Sequence, residues 1–382
     1  MVVVEGVGAR GSQSSLREAN AASIVEAVRI YGQITQVELA AATGLSPATV
    51  SNLVKSLQAA GVVETSATVR SGRRAQAVSL ARSSDLAIGV HIGHRTLEVL
   101  LADASWSVTA AQRLPLPAEH RFDTTLDRVA LLVAELTERV GATPGDIGTV
   151  GLAIPSLSDG RSPALAGWEQ TDVAEILSRR LRRPIAVVSE PEAAGIAETR
   201  FGALKGVASA MVIRASHVTE ASVLLNGRPL PRGGGFGHMR VDPAGMICWC
   251  GARGCLNTLV SVDALADLLR VSHGPLSLRA LVRRAKDGDP GCRQVVAHAA
   301  DVIGSAAADA AMLFGPERIC FTGELVSTGD VFLGPVKAAL RARPLLSDVD
   351  SLVVVADCDD AEARGALAVA TDEPAPATEG AS

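Results

Sequence analysis

The sequence predicts an α/β fold that is preceded by a small helical module and contains one cysteine-rich segment. From Leu86 onward, short apolar runs typical of strands alternate with stretches of helical period, as in α/β proteins. Between Thr35 and Glu64, two helices with capping signals are separated by a glycine. Between His238 and Cys255, one histidine and three cysteines fall within eighteen residues. These observations divide the chain into parts of different character.

The composition limits the class of protein. A chain of 382 residues can form two or three domains with substantial cores. Hydrophobic residues make up 48% of the chain but aromatic residues only 3%, so we expect cores of Ala, Val and Leu. The formal net charge of −5 excludes a protein that is basic throughout, although a local basic surface is compatible with it.

Several features predict a cytoplasmic location. The N-terminal segment lacks the basic start and apolar run of a signal peptide. No stretch approaches the roughly 18 consecutive apolar residues that cross a bilayer, so we expect no membrane partner. The six cysteines are unevenly spaced, which favours a reducing compartment and metal binding over disulfides.

The N-terminal part begins with a Gly- and Ser-rich segment, residues 1–15, that we expect to be a disordered arm. The apolar pattern after it predicts a first helix from Leu16 to about Tyr31. Thr35 and Glu38 then form a T-x-x-E capping box, which starts a second helix by satisfying its free amides.

A third helix follows a glycine turn at Gly44. Ser46 caps this helix and Pro47 occupies its first position, where no backbone donor is lost. One face is apolar and is expected to pack inward: Val50, Leu53, Val54 and Leu57. The opposite face has short polar groups and one cation, suited to the major groove of DNA and its phosphates. The predicted DNA contacts in this region are Ser46, Pro47, Thr49, Ser51, Asn52 and Lys55.

A basic hairpin comes next. Two runs, Val62–Glu64 and Ala75–Leu80, predict strands, and their connection VRSGRR contains Arg70, Arg73 and Arg74. Such a wing is placed to contact phosphates or a minor groove. Residues 16–80 are therefore predicted to form a winged helix-turn-helix domain whose partner is a double-stranded DNA operator. The alternative is a helical hairpin used only for packing, with a solvated charged turn.

The remainder of the chain is predicted to be a linker at 81–85, an α/β body at 86–371 and a disordered tail at 372–382. The predicted strands are Leu86–Gly93, Leu97–Ala104, Thr149–Pro155, Pro184–Glu190, Ser209–Arg214, Arg318–Leu325 and Ser351–Cys358. The predicted helical stretches are Phe122–Val140, Thr171–Arg182, Glu192–Arg200, Val260–Phe314 and Ala361–Ala370.

The cysteine-rich segment predicts a structural zinc site. His238, Cys248, Cys250 and Cys255 give the spacing H-x9-C-x-C-x4-C, and three thiolates with one imidazole are a preferred ligand set for tetrahedral zinc. Full coordination leaves no position for a reacting water, so no catalysis is assigned to the metal. The alternative is three reduced thiols beside an unrelated histidine. The other cysteines, Cys292, Cys320 and Cys358, are expected to be ordinary buried residues.

The order of winged helix, α/β body and the segment G-H-x9-C-x-C-G-x2-G-C-L resembles the ROK family of sugar-responsive repressors and sugar kinases. The resemblance covers about Leu16 to Asp372. It implies two actin-like (ribonuclease H-like) α/β subdomains with a cleft between them. It also implies a homodimer or tetramer that places two winged helices on a two-fold operator.

The sequence departs from the kinase branch of this family at the nucleotide loops. His91 stands at the position of the family's aspartate near magnesium, and His94 and Arg95 replace small residues beside it. The second phosphate loop corresponds to Ser216–Ser222, which has no glycine and contains Glu220. The third corresponds to TGEL instead of G-G-G-L. We therefore expect no catalytic residue and no binding of ATP or magnesium.

The resemblance also implies a candidate effector cleft. Ser189 and Glu190 stand at the positions of the family's asparagine and general-base aspartate, and the longer side chain of Glu190 displaces its carboxylate by about 1 Å. Gly235 and Asn257 replace glutamates that contact the sugar. The candidate effector-cleft residues are Ser189, Glu190, Gly235, His238 and Asn257.

These observations predict a sequence-specific DNA-binding transcriptional regulator, a repressor, with a non-catalytic kinase-like body for oligomerisation and effector binding. A sugar or sugar derivative that prefers one cleft angle would alter the spacing of the two winged helices. One alternative is a regulator that has lost sugar sensing and responds to another ligand or partner. Another is an ATP-dependent sugar kinase with an appended DNA-binding domain.

Overall fold

The computed structural model describes residues 13–31, 33–59, 62–70, 73–80, 86–103, 106–155, 165, 167–230 and 234–371. The predicted linker and tail, most of the predicted arm and the turn of the wing lie outside these residues. The chain divides into two compact units. The N-terminal unit comprises residues 1–86 with 102–109, and the body comprises residues 87–101 with 110–382.

The N-terminal unit has three helices and a three-stranded sheet. Its elements are α1 (Gln13–Tyr31), β1 (Gln33–Thr35), α2 (Gln36–Thr43), α3 (Pro47–Ala59), β2 (Val63–Arg70) and β3 (Arg73–Leu80). The sheet order is β1-β3-β2, with antiparallel pairing. Helix α1 begins three residues before the predicted Leu16, within the predicted arm. The sequence did not predict β1, since three residues are too few to show a strand period.

The helix boundaries of this unit follow the predicted capping signals. The Thr35 side chain accepts a hydrogen bond from the Glu38 amide, and the Glu38 carboxylate accepts one from the Thr35 amide at 2.9 Å. Gly44 ends α2 with a φ of 68°, a conformation that glycine adopts without steric cost. Ser46 Oγ accepts from the Thr49 amide at 3.2 Å, as expected for the cap of α3.

The core of the N-terminal unit lies between the three helices and the sheet. The predicted inner face of α3 contributes Val50, Leu53 and Val54, all buried, and the partly buried Leu57 packs against them. The other buried members are Ile24, Ala27, Val28, Ile34, Leu39, Val63 and Val78. Burying this face of α3 turns the polar face outward.

The first half of the body has a five-stranded sheet. Its strands are β4 (Leu86–Ile92), β5 (Thr96–Ala102), β6 (Val108–Pro115), β7 (Ile147–Ile154) and β8 (Ile185–Ser189), in the order β6-β5-β4-β7-β8. Its helices are α4 (Phe122–Arg139) and α5 (Val173–Leu181). The sequence did not predict β6, whose half-exposed pattern contains few strongly apolar residues.

The second half of the body has another five-stranded sheet. Its strands are β9 (Ser209–Ala215), β10 (Thr219–Leu225), β11 (Arg228–Pro229), β12 (Arg318–Thr322) and β13 (Val353–Val355), in the order β11-β10-β9-β12-β13. The helices from α6 onward are α6 (Glu190–Phe201), α7 (Asn257–Val260), α8 (Val262–His273), α9 (Leu278–Lys286), α10 (Pro290–Phe314), α11 (Asp330–Arg341), α12 (Val349–Leu352) and α13 (Ala361–Thr371). Helix α11 was not predicted.

Helix α13 packs against α6 and β7, and small residues make this possible. A Cβ on Gly365 would lie 1.8 Å from the Ala193 carbonyl oxygen of α6. A Cβ on Gly151 of β7 would lie 1.8 Å from the Ala366 carbonyl oxygen. These approaches leave no room for any side chain, so glycine sets the distance between helix and sheet.

Helix α10 qualifies one expectation from the sequence. Among the described residues it is long and apolar enough to cross a membrane by length and composition, although Arg293, Asp301 and Asp309 interrupt its apolar residues. However, 61% of its apolar window is buried inside the protein. A buried core helix has the same composition as a membrane-spanning one, and α10 packs against α8, α9 and α11.

Candidate functional site

The outer face of α3 is the first candidate site. Asn52 and Lys55 are exposed, as are Ser46 and Pro47 at the start of the helix, while Thr49 and Ser51 are half-buried. The hydroxyls of Ser46 and Thr49 are hydrogen-bonded to each other at 2.8 Å. The cap therefore engages these two hydroxyls, whereas Asn52 and Lys55 point polar groups away from the core.

The β2–β3 hairpin forms the wing. The strands are longer than predicted, and their register pairs Arg70 with Arg73 and Val69 with Arg74. The three arginines thus lie at the last paired positions before the turn, although their side chains are outside the described part of the structure. The backbone confirms the hairpin itself, and the DNA contacts of these arginines stay a prediction.

The side chains of the predicted zinc ligands lie close together. They are those of His238, Cys248, Cys250 and Cys255. Cys248 Sγ lies 3.5 Å from His238 Nδ1, and Cys250 Sγ lies 3.7 Å from Cys255 Sγ. All four ligand atoms lie within 4.8 Å of one another. A tetrahedral zinc with bonds of about 2.3 Å to sulfur and about 2.05 Å to nitrogen places ligand atoms about 3.6–3.8 Å apart. The residues present therefore fit a zinc ion.

The chain folds tightly around this point. His238 ends a single turn of 3₁₀ helix, and its ring packs edge-on against Trp249 at 4.4 Å between centroids. Gly254 has a φ of 74°, and a Cβ there would lie 1.6 Å from the Asp242 carbonyl oxygen. Burial lowers the pKa of His238, which favours the neutral imidazole that a metal ligand requires.

A buried ion network occupies the cleft region of the body. His91 Nε2 of β4 donates to Glu190 Oε1 at 2.6 Å, and Arg214 of β9 lies 3.1 Å from Glu190 Oε2. The Arg214 Nε also donates to Glu362 Oε1 of α13 at 2.7 Å. The side chain of Glu190 is fully buried, and those of His91 and Arg214 are 5% and 8% exposed. Four elements thus contribute to one charge cluster.

The network fixes the ionisation of its members. Burial by itself would raise the pKa of Glu190, but the charge of Arg214 and the hydrogen bond from His91 outweigh it and lower that pKa. Burial would lower the pKa of His91, and the bond to Glu190 reverses this and raises it. A carboxylate held by two donors in this way is a poor general base.

Two predicted cleft residues are engaged in the fold. The Ser189 side chain caps α6, and Glu192 completes a capping box by accepting from the Ser189 amide at 2.9 Å. The Asn257 amide group donates to the Thr219 carbonyl oxygen at 3.1 Å and accepts from the Thr219 amide at 2.8 Å. Asn257 therefore anchors the start of β10.

Gly235 has open space beside it as far as the described residues show. An added Cβ would meet no atom of these residues within 4 Å, whereas one on Gly237 would lie 2.1 Å from the Thr219 carbonyl oxygen. The structure places Gly235 immediately before the 3₁₀ turn that carries His238. The effector roles of the five candidate cleft residues stay predictions.

The two stretches that the resemblance aligns with the first and second phosphate loops contact each other through His94 and His217. The stretch 216–222 is half strand, because β10 begins at Thr219. The rings of His94 and His217 stack at 4.9 Å between centroids. Burial raises the pKa of Glu220 to about 8, and the neighbouring Glu190 adds to the rise.

Several buried polar atoms in this region lack a hydrogen-bond partner among the described residues. They are His91 Nδ1, Ser216 Oγ, Thr219 Oγ1 and Glu220 Oε2. A buried polar group without a partner costs about 1–3 kcal/mol, and bound water or a polar ligand can satisfy it. Sequence analysis missed Arg214 and Glu362, for which the only signal was a charged residue within or beside an apolar element.

Comparison with known proteins identifies both units. Residues 87–373 match the model of the ROK family, and residues 18–74 match the model of the MarR family. The Escherichia coli (strain K12) DNA-binding transcriptional dual regulator NagC is 25% identical, and the alignment covers 94% of each chain.

Solved structures show the same fold. A ROK family transcriptional regulator, described as a homologue of the E. coli MLC protein, aligns with a TM-score of 0.71 at 21% identity over 92% of this chain and 96% of that one. A ROK family glucokinase from Streptomyces griseus, in complex with glucose and AMPPNP, aligns with a TM-score of 0.63 at 23% identity over 74% of this chain and 98% of that one. The predicted winged helix and kinase-like α/β body are confirmed.

Proposed function

Because the chain belongs to the ROK family and has a MarR-like N-terminal domain, we propose that it is a sequence-specific DNA-binding transcriptional repressor. The observation that carries the proposal is the outer face of α3, where Asn52 and Lys55 are exposed on a capped, rigid helix. An asparagine can bond an adenine edge in the major groove, and a lysine can bond a phosphate. The similarity to a DNA-binding regulator over nearly the whole chain supports the same function.

The kinase-like body has no catalytic role in this proposal. Phosphoryl transfer needs a carboxylate for magnesium and a phosphate cradle. At the position of the carboxylate that holds magnesium in the family's kinases, this chain has His91, which is hydrogen-bonded to Glu190. Near the position of the phosphate cradle, the rings of His94 and His217 stack on each other. The comparisons favour the repressor over both alternatives, a sugar kinase and a regulator without sugar sensing.

The effector is a sugar or sugar derivative. The buried, unpartnered atoms of His91, Ser216 and Thr219 offer hydrogen-bonding groups of the kind that hydroxyls satisfy. A ligand that prefers one arrangement of the two sheets would shift the population of DNA-binding states. The chain acts as a homodimer or tetramer, which presents two recognition helices to a two-fold operator.

One structural zinc is held by His238, Cys248, Cys250 and Cys255. The soft donor set and the ligand spacings support this metal, and its role is to hold the loop between α7 and the 3₁₀ turn. Since the operator is chromosomal DNA, the expected location is the cytoplasm.

Binding to DNA tests the proposal directly. Duplexes selected from a random pool by the full chain serve as the probe, and fluorescence anisotropy at several salt concentrations gives the Kd and its salt slope. We expect Asn52→Ala to weaken binding about 5- to 150-fold at each salt concentration, because an asparagine–base pair is worth about 1–3 kcal/mol. We expect Lys55→Ala to weaken binding and reduce the salt slope by about 1.

The matched control is Lys205→Ala, an exposed cation of the body. Its Kd should equal that of the unmodified chain. If no duplex is enriched, or if Asn52→Ala and Lys55→Ala bind as tightly as the control, the DNA-binding assignment is wrong.

A further inference from the structure

A second cluster of metal-ligating side chains lies in the helical layer of the body, at the junction of α8 and α10. It consists of His273, the last residue of α8, Asp289, the N-cap of α10, and Cys292 in the first turn of α10. One ligand atom of each lies within 4.8 Å of the others. Cys292 is fully buried, whereas the side chains of His273 and Asp289 are 14% and 24% exposed. The cluster is thus anchored in the core and open to solvent on one side.

The contacts of His273 orient its ring toward Asp289. Ser272 Oγ lies 2.7 Å from His273 Nδ1 and 3.2 Å from the Leu269 carbonyl oxygen. The other nitrogen, Nε2, lies 3.0 and 3.1 Å from the two Asp289 carboxylate oxygens.

Nε2 and the two Asp289 carboxylate oxygens are close enough for a proton or a metal ion to lie between them. Serine supplies the outer hydrogen bond that typically orients a metal-bound histidine, and Nε2 is the nitrogen left for the metal.

The charge of the cluster is suited to a divalent cation. A divalent ion bound by the neutral imidazole of His273, the carboxylate of Asp289 and the thiolate of Cys292 gives a group of zero net charge, which is suited to a half-buried site.

We propose that His273, Asp289 and Cys292 form a second metal site, for zinc or a similar borderline divalent ion, that joins α8 to α10. Imidazole nitrogen, carboxylate oxygen and thiolate sulfur are all zinc ligands, and three protein ligands leave a fourth position for water. The site is separate from the four-ligand cluster at His238. Gly291 makes room for the histidine ring, since a Cβ there would lie 3.0 Å from His273 Cε1.

Counting metal in the full-length protein tests the site. Protein equilibrated with Zn²⁺ and freed of loosely bound ion should contain two zinc ions per chain by elemental analysis. His273→Gln and Cys292→Ser should each contain one. Ser272→Ala removes only the outer hydrogen bond and should weaken the second zinc about 10- to 100-fold. Cys250→Ser, which disrupts the other cluster, should keep the zinc at His273.

Two controls match these variants. His298→Gln alters an exposed histidine of α10, and Cys358→Ser alters a cysteine outside both clusters. Both should contain two zinc ions. Thermal unfolding in the presence of chelator shows whether the metal-free variants are folded. We expect Cys292→Ser to fold, because the backbone amide of residue 292 still donates to Asp289 Oδ1 at 2.8 Å.

The counts distinguish the two sites. If the unmodified chain and Cys292→Ser contain the same number of zinc ions, the second site does not exist and His273 and Asp289 form only an ion pair. If the unmodified chain contains one zinc that Cys292→Ser loses, the second site holds and the four-ligand assignment is wrong. Added Zn²⁺ should raise the Tm of Cys250→Ser but not that of Cys250→Ser/Cys292→Ser, and equal shifts would overturn the proposal.

Discussion

At the scale of the residue, Arg214 organises the interior of the body. Its guanidinium contacts Glu190 and Glu362, and these pairs join β9 to α6 and α13. A buried charge of this kind is tolerated because it is paired, and removal of one partner typically costs about 3–5 kcal/mol. In the proposed non-catalytic body, this pairing also leaves Glu190 without a free carboxylate to act as a general base.

Glu220 gives the body a predictable pH dependence. Its folded-state pKa is raised to about 8, mainly by burial, so the folded protein favours the protonated form. The stability that this group contributes is present below its unfolded pKa of about 4.5 and is lost as pH rises to about 8. We expect Glu220→Gln to have the Tm of the unmodified chain near pH 4.5 and a higher Tm at pH 8.

Thermal unfolding at constant ionic strength between pH 4.5 and 9 measures this difference. Glu119→Gln, an exposed carboxylate of the same unit, is the control and should show no trend. A Tm difference for Glu220→Gln that stays constant with pH would contradict the expectation.

At the scale of the element, we expect α3 and the wing to make different contributions to DNA binding. Helix α3 begins at a side-chain cap and buries one face against α1 and α2, so its outer face is held at a fixed orientation. The wing is a hairpin whose register places Arg73 and Arg74 at its last paired positions. A helix can enter the major groove, whereas a basic hairpin tip is suited to phosphates. Specificity is therefore expected from α3 and salt-dependent affinity from the wing.

The double variant Arg73→Ala/Arg74→Ala tests the wing. Each phosphate contact contributes about 0.9 to the slope of log K against log salt, so the slope should fall by about 2 if both arginines bind phosphates. Preference for the selected duplex over a scrambled one should change little. Titrations at four salt concentrations give both quantities. If the slope is unchanged for this double variant but reduced for Lys55→Ala, the wing arginines do not contact phosphates.

At the scale of the whole molecule, the proposed function requires the body to couple a ligand site to DNA binding. Helix α6 packs against strands of both five-stranded sheets, and Glu362 of α13 pairs with Arg214 of β9. A ligand bound beside this network would contact elements of both sheets. It can therefore favour one arrangement of the body over another, which is the physical requirement for an effector.

Gly235 provides a test of sugar binding by the whole chain. The family's kinases have a glutamate at this position, and here the space beside the glycine is open. We expect Gly235→Glu to fold and to increase the rise in Tm that a bound sugar produces, because a carboxylate adds hydrogen bonds to hydroxyls. A thermal-shift screen of glucose, xylose and N-acetylglucosamine measures the effect.

Gly237→Glu is the matched control, since any Cβ there collides with Thr219 and Asn257. This variant should have a lower Tm than the unmodified chain, and sugar should raise its Tm no more than it raises that of the unmodified chain. If no sugar raises the Tm of either the unmodified chain or Gly235→Glu, the effector belongs to another chemical class.

The sequence by itself determined the features that depend on nearby residues. The caps at Thr35 and Ser46 are confirmed, because a capping hydrogen bond spans only a few positions. The alternation of strands and helices and the grouping of His238 with three cysteines follow from local period and spacing in the same way. Strands β1, β6, β10 and β11 were not predicted from the sequence. A short or half-exposed strand is defined by its partner more than by its own residues, and part of β10 was interpreted as a phosphate loop.

The tertiary structure alone decided which distant charges meet. No spacing in the sequence relates Arg214 to Glu190 and Glu362, and no motif relates His273 to Asp289 and Cys292. These contacts are set by the packing of helices against sheets and against one another, which brings together residues far apart in the chain. Local hydrogen bonds can be inferred from order along the chain, whereas buried charges depend on the three-dimensional arrangement that removes them from water.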